Sequence, residues 1–255
     1  MSWLTRYQAG ECEAVWAELG ARALAGEDRA AAVEVAIETM RRAKACLEQL
    51  SERLSADGYV FLYEAEVLVP PERDLPAQLE SLEKKAGPIP LALRAFWEQV
   101  GSVNFIGAHP RWPLPAYIGL PGLPAPKSTD PRHLLYADPL MVAGAEFSLQ
   151  DYEGNWAARV EEGEIDPEEE PYEFGIGPDA LHKANVSGGL QTVAPAAVAD
   201  PPLLGLHTGS QSFVSYLRSA LANAGFAGFP HRTDPAERAE LSAWAKKITA
   251  GLQQI

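Results

Sequence analysis

The densest group of ionisable side chains in the sequence is a run of carboxylates in its second half. Eight acidic residues occur between positions 161 and 173: Glu161, Glu162, Glu164, Asp166, Glu168, Glu169, Glu170 and Glu173. Like charges at this density cannot be buried together, so the run is expected to face solvent. It could attract a basic protein surface, such as the active-site cleft of a nuclease, or form a solvated loop without a partner. Cation binding is the least favoured use, because the D-x-[DN]-x-[DN]-G ligand order of a calcium loop is absent.

Motifs for catalysis and for cofactor or metal binding are scarce. The sequence contains no G-x-S-x-G elbow, no G-x-x-x-x-G-K-[ST] phosphate loop, no dinucleotide fingerprint and no H-E-x-x-H. His207 is close to Ser210 and Ser212, but adjacency in sequence is not the geometry of a base and its nucleophile. The partial phosphate-loop pattern at Gly175-Ile176-Gly177 is predicted to be a turn that ends a strand. We therefore expect no enzyme, no cofactor and no metal site.

The net charge indicates which class of partner the protein is suited to bind. The 255 residues include 21 Lys and Arg against 35 Asp and Glu, a formal net charge of −14. This surplus would repel a phosphate backbone, so direct nucleic-acid binding is not expected. A basic protein would be attracted over about a Debye length, ~8 Å at physiological salt, although acidity can also serve solubility alone.

Targeting signals are not evident in the sequence. The first residues, Met1 to Tyr7, lack a basic region followed by an apolar run, and no stretch of about 18 apolar residues occurs. The sequence therefore predicts a cytoplasmic protein without a membrane-spanning helix.

The first 57 residues are predicted to form a helical hairpin that turns near Gly26. Residues 27–57 contain neither Gly nor Pro, and Gly58 follows them as a natural C′ residue. Apolar residues at helical spacing favour packing within the chain over a partner helix: Val33, Ile37, Met40, Leu47 and Leu54. Cys12 would lie opposite about residue 40, roughly six residues or ~9 Å from Cys46 along the axis. We therefore predict two free thiols.

Residues 58–255 are predicted to form one α+β domain. Residues 59–63 have the aromatic and β-branched pattern of a strand. Asp74 can cap a helix that ends at Gly87, and a second helix is expected to begin at Pro90 and to end at Gly101. Helices near the ends and short strands between them favour a mainly antiparallel sheet flanked by helices.

A proline-rich insertion divides this domain. Eight of the 33 residues in 107–139 are proline, so only short strands can form there. Further short strands are expected around residues 141–142, 156–160 and 172–174. Two helices are predicted at the end of the sequence, over about 211–224 and 234–252, and the second is an addition to the domain.

Three segments, in this order, resemble the SUKH superfamily, which includes the Smi and Knr type of fungal cell-wall-synthesis regulator and many bacterial immunity proteins. The first is LEKKAGPIP at 82–90, followed by Leu93, Phe96-Trp97 and Val100-Gly101. The second is HKANVSGG at 182–189, and the third is FVSYLR at 213–218 leading to GFAGFP at 225–230. The resemblance covers residues 75–230, without the N-terminal hairpin and the final helix.

The resemblance implies an α+β domain without a cofactor, in which the motif residues are architectural. It also implies a non-enzymatic, immunity-type protein that neutralises a toxin. A concave sheet surface would block the toxin sterically, and the carboxylates at 161–173 would pair with its Arg and Lys residues. The alternatives are an intracellular scaffold or regulator of cell-envelope synthesis, with the hairpin as a dimerising arm, and an unrecognised enzyme. The sequence does not determine the oligomeric state.

Overall fold

A computed structural model describes residues 1–109, 138–183, 188–205, 211–231 and 234–255. Within these residues the protein is α+β, as predicted, with small antiparallel sheets flanked by helices. Residues 110–137, which make up most of the proline-rich insertion, lie outside the described residues. The same holds for His207, Ser210 and residues 184–187 of the second SUKH-like segment.

The N-terminal hairpin consists of three helices instead of two. Its first arm is divided into α1 (Trp3–Gln8) and α2 (Cys12–Gly20) at Gly10, which has a left-handed φ of 102°. The second arm is the 31-residue α3 (Gly26–Ala56). Trp16 of α2 donates its indole N–H to the Thr39 hydroxyl of α3 at 3.0 Å, which fixes the antiparallel register. Both cysteines are free and buried, so the prediction of two free thiols is confirmed.

The seam of α3 packs within the chain, as predicted. Met40, Leu47 and Leu54 are buried, whereas Val33 and Ile37 are only half-buried. The buried face is wider than the predicted seam, because the helix contacts α1 on one side and the helices of the α+β domain on the other. One hydrophobic core therefore includes residues of the hairpin and of the domain.

The next part of the chain contains two predicted helices and four short strands. The helices are α4 (Leu75–Ala86) and α5 (Leu91–Gln99). The strands are β1 (Val60–Phe61), β2 (Leu68–Val69), β3 (Ser102–Asn104) and β4 (Gly107–Ala108). Pairing is antiparallel between β1 and β4 and between β2 and β3. The helices end and begin close to the predicted residues.

Two details at these helix ends differ from the prediction. Asp74 occupies the N-cap position of α4, but its carboxylate accepts a hydrogen bond from the Gln78 side chain and not from the backbone. Pro90 is the N-cap residue of α5, one position before the first helical residue. Gly101, the predicted stop, has a φ of 90°, and a Cβ there would lie 2.1 Å from the Val69 carbonyl oxygen. Only glycine fits this closing position.

The segment around residue 156 is helical, so the predicted strand at 156–160 is wrong. Helix α6 (Ala145–Asp151) continues through a π-helical turn, Tyr152–Trp156, into α7 (Ala157–Glu161). The rings of Tyr152 and Trp156 lie 5.4 Å apart and both contact Tyr172. This aromatic packing needs the helical spacing, and it outweighs the strand propensity of the aromatic residues.

The Gly175-Ile176-Gly177 pattern lies inside a strand, so the predicted strand-ending turn is also wrong. Strand β6 (Phe174–Pro178) begins at the end of the predicted strand 172–174 and pairs with β7 (Leu190–Val193). A Cβ on Gly175 would lie 2.5 Å from the Phe147 ring, and a register shift occurs between Gly175 and Gly177. The glycines therefore allow close packing and a bulge. Strand β5 (Met141–Val142) lies where a strand was predicted, and it pairs with β3.

The last three α-helices in the described part of the chain are α8 (Ala180–Lys183), α9 (Phe213–Ala222) and α10 (Pro235–Ile248). Ser212 and Asp234 cap α9 and α10 through side-chain oxygens that accept backbone N–H groups. Helix α10 ends four residues before the predicted position 252. No helix among the residues described is long and apolar enough to cross a lipid bilayer.

Candidate functional site

The acidic segment, residues 161–173, connects the end of α7 to the beginning of β6. Its predicted solvent exposure is confirmed: seven of the eight acidic residues are exposed and Glu173 is half-buried. Two apolar residues interrupt the run and are buried, Ile165 at 5% and Tyr172 at 4% exposure. The segment therefore has two anchors in the protein interior and carboxylates between them.

Hydrogen bonds hold the second anchor in place. The Tyr172 hydroxyl donates to the Ser148 carbonyl oxygen of α6 at 2.7 Å. Burial raises the pKa of Tyr172, so the phenol remains a neutral donor. The Trp156 indole N–H donates to the Glu170 carbonyl oxygen at 3.2 Å. The helical stretch that precedes the acidic segment therefore also holds the C-terminal part of that segment in place.

A compact turn orders the middle of the acidic segment. One carboxylate oxygen of Asp166 accepts the Glu168 N–H at 2.9 Å. The Asp166 carbonyl oxygen accepts the N–H groups of Glu169 and Glu170 at 3.0 and 2.8 Å. Three consecutive glutamates are therefore presented to solvent from a turn that the backbone itself holds together.

Most of the negative charge of the acidic segment is uncompensated. Glu164 pairs with Arg159 at 3.3 Å, and Glu173 accepts a hydrogen bond from the Thr192 hydroxyl. Within the described ranges, six carboxylates have no ion-pair partner: Glu161, Glu162, Asp166, Glu168, Glu169 and Glu170. The resulting field favours approach of a cationic surface. No group of three or more His, Cys, Asp or Glu suited to a metal ion occurs in the described part of the chain.

A second group of charged residues is buried, and it was not predicted from the sequence. Lys183 is 1% exposed, and its ammonium donates to Asp138 Oδ1 at 2.6 Å and to the Tyr216 hydroxyl at 2.9 Å. We call these three residues the lysine cluster. Its members are 45 and 33 positions apart in sequence, so no local pattern indicates their contact.

The electrostatics of the lysine cluster stabilise its ordinary protonation states. Burial alone would lower the pKa of Lys183, but Asp138 and the Tyr216 hydroxyl outweigh it and raise the pKa. Burial, with Asp138, raises the pKa of Tyr216 to about 12. A general base at neutral pH would need the opposite shifts. The lysine cluster joins α8, α9 and the chain at Asp138 through a buried ion pair and a hydrogen bond.

The second SUKH-like segment is positioned by a buried aspartate. Asp179 is fully buried, and its carboxylate accepts the N–H groups of His182 at 2.8 Å and Gly189 at 2.9 Å. A Cβ on Gly188 would lie 2.4 Å from Asp179 Oδ1. Gly188 therefore has a packing role, because a side chain there would collide with Asp179.

Two clefts share Arg218 of α9 in their lining, and neither is lined by a residue of the acidic segment. The first, of about 360 Å³, is lined in part by Leu221, Leu252 and Ile255. The second, of about 540 Å³, is lined in part by Trp16 and by Asp200. Burial raises the pKa of Asp200, whose carboxylate accepts the Val214 N–H at the start of α9. The Asp200 carboxylate therefore stabilises the start of α9.

Comparisons with protein-family models, with curated proteins and with solved structures found no significant match to this chain. The resemblance to the SUKH superfamily therefore stays a prediction from the three sequence segments.

Proposed function

We propose that this protein is a non-enzymatic binding protein that recognises a basic protein partner through the acidic segment. The proposed mode is that of an immunity protein, which neutralises a toxin by steric and electrostatic occlusion. The observation that supports it is the set of six exposed carboxylates that have no ion-pair partner among the described residues, in a segment whose middle is held by hydrogen bonds of Asp166.

The fixed backbone matters because binding costs conformational entropy. A loop anchored by Ile165 and Tyr172 loses less freedom on association than a free acidic tail would lose. Its unpaired carboxylates lose no existing ion pair when a partner's Arg or Lys arrives. Complementary charge of this kind mainly raises the association rate and excludes partners of the wrong charge.

The acidic segment also suits the role better than a sheet surface does. The described sheets have at most three strands each. Strand β6 is buried along four of its five residues. We therefore assign occlusion of the partner to the acidic segment and its flanking helix α7.

The two alternative functions gain no support from particular contacts. A dimerising arm would need an unpaired apolar seam, but most of the α3 seam is buried in the chain's own core. An enzyme would need activated groups, whereas the lysine cluster keeps its protons.

The test compares two triple variants of equal charge change. One carries Glu168→Lys, Glu169→Lys and Glu170→Lys. The control carries Glu27→Lys, Glu34→Lys and Glu48→Lys at exposed positions of α3. Each protein is immobilised and used to capture partners from cells of the native organism, and captured proteins are identified by mass spectrometry. We expect a basic protein to bind the unaltered chain and the α3 variant, and to be lost from the acidic-segment variant.

The association rate of the captured partner is then measured against salt concentration. We expect it to fall steeply with added salt, since screening removes long-range attraction. Equal loss of the partner from both variants, or an association rate independent of salt, would contradict the proposal.

A further inference from the structure

We draw no further inference here: the strongest candidate, the cleft of about 540 Å³ between α2 and the start of α9, carries nothing because its Asp200 and Arg218 side chains already hydrogen-bond to the chain's own backbone and nothing in the structure shows what would occupy it.

Discussion

The lysine cluster and the acidic segment differ in whether their charged side chains are buried and paired or exposed to solvent. The Lys183 ammonium is removed from water and bonded to Asp138 and Tyr216. The carboxylates of the acidic segment stay in water, and most of them have no ion-pair partner in the described chain. A buried charge must be paired because desolvation is costly, whereas a solvated carboxylate needs no protein partner. The lysine cluster therefore stabilises the fold while its charges cancel, whereas the field of the acidic segment extends into the solvent.

The largest expected effect is that of Lys183→Met, which would leave the Asp138 carboxylate largely buried without its cation. Breaking a buried ion pair on one side typically costs about 3–5 kcal/mol of unfolding free energy. The measurement is urea unfolding, with the exposed substitution Lys84→Met as the control. The double variant Lys183→Met/Asp138→Asn should recover part of the loss, since it removes the stranded charge.

The pH dependence of this effect follows from the sign of the shift. The pKa of Lys183 is raised in the fold, so its contribution is complete below the ordinary lysine value of 10.5. It is lost only as the pH rises through the higher value of the folded state. We expect the destabilisation by Lys183→Met to be constant at neutral and mildly alkaline pH. A contribution that disappears near neutral pH would show that the cluster is not an ion pair of the kind described.

An intermediate effect is expected where the acidic segment joins the core. Tyr172→Phe removes the hydroxyl that donates to Ser148 and leaves the ring in place. The loss of one buried hydrogen bond should lower the unfolding free energy by about 1 kcal/mol. A glutamate-specific protease should also cleave the acidic segment faster. Tyr63→Phe, at a tyrosine that is 47% exposed, is the control and should change neither measurement. If the two variants behaved alike, the acidic segment would not be anchored by Tyr172.

The smallest effect on stability is expected in the acidic segment itself. Glu168→Gln, Glu169→Gln and Glu170→Gln together remove three solvated charges and no ion pair. The unfolding free energy should rise slightly, within about 0.5 kcal/mol, because repulsion among like charges falls. Added salt should reduce the difference between this variant and the unaltered chain. Thermal unfolding at low and high salt measures both, and a marked destabilisation would mean that these carboxylates have a structural role.

Local chemistry made several elements predictable from the sequence. Asp234 followed by Pro235 marked the start of α10, and the glycine at 101 marked the stop after α5. The exposure of the acidic segment followed from electrostatics alone, because no fold can bury so many like charges. In each case the deciding interaction lies within a few residues of the signal.

The features that were missed depend on contacts between distant residues. The Trp156 ring packs on Tyr172, and the Phe147 ring lies against Gly175, so both misassigned sites make contacts with residues that are distant in sequence. The lysine cluster joins three separate parts of the chain. Propensity and spacing carry no information about such contacts. Sequence patterns alone therefore favoured a strand at residues 156–160 and a turn at Gly175-Ile176-Gly177.

The π-helical turn Tyr152–Trp156 influences the direction in which the neighbouring carboxylates of Glu161 and Glu162 face. A π turn contains one residue more than the α-helix would use for the same arc. Because the π turn absorbs this extra residue, deleting Gly154 would restore a regular α-helix and leave Glu161 and Glu162 facing as they do now. If the same residues formed a regular α-helix without a deletion, everything after them would turn by about 100° relative to α6. The direction of these carboxylates therefore depends on keeping the π turn and its extra residue together.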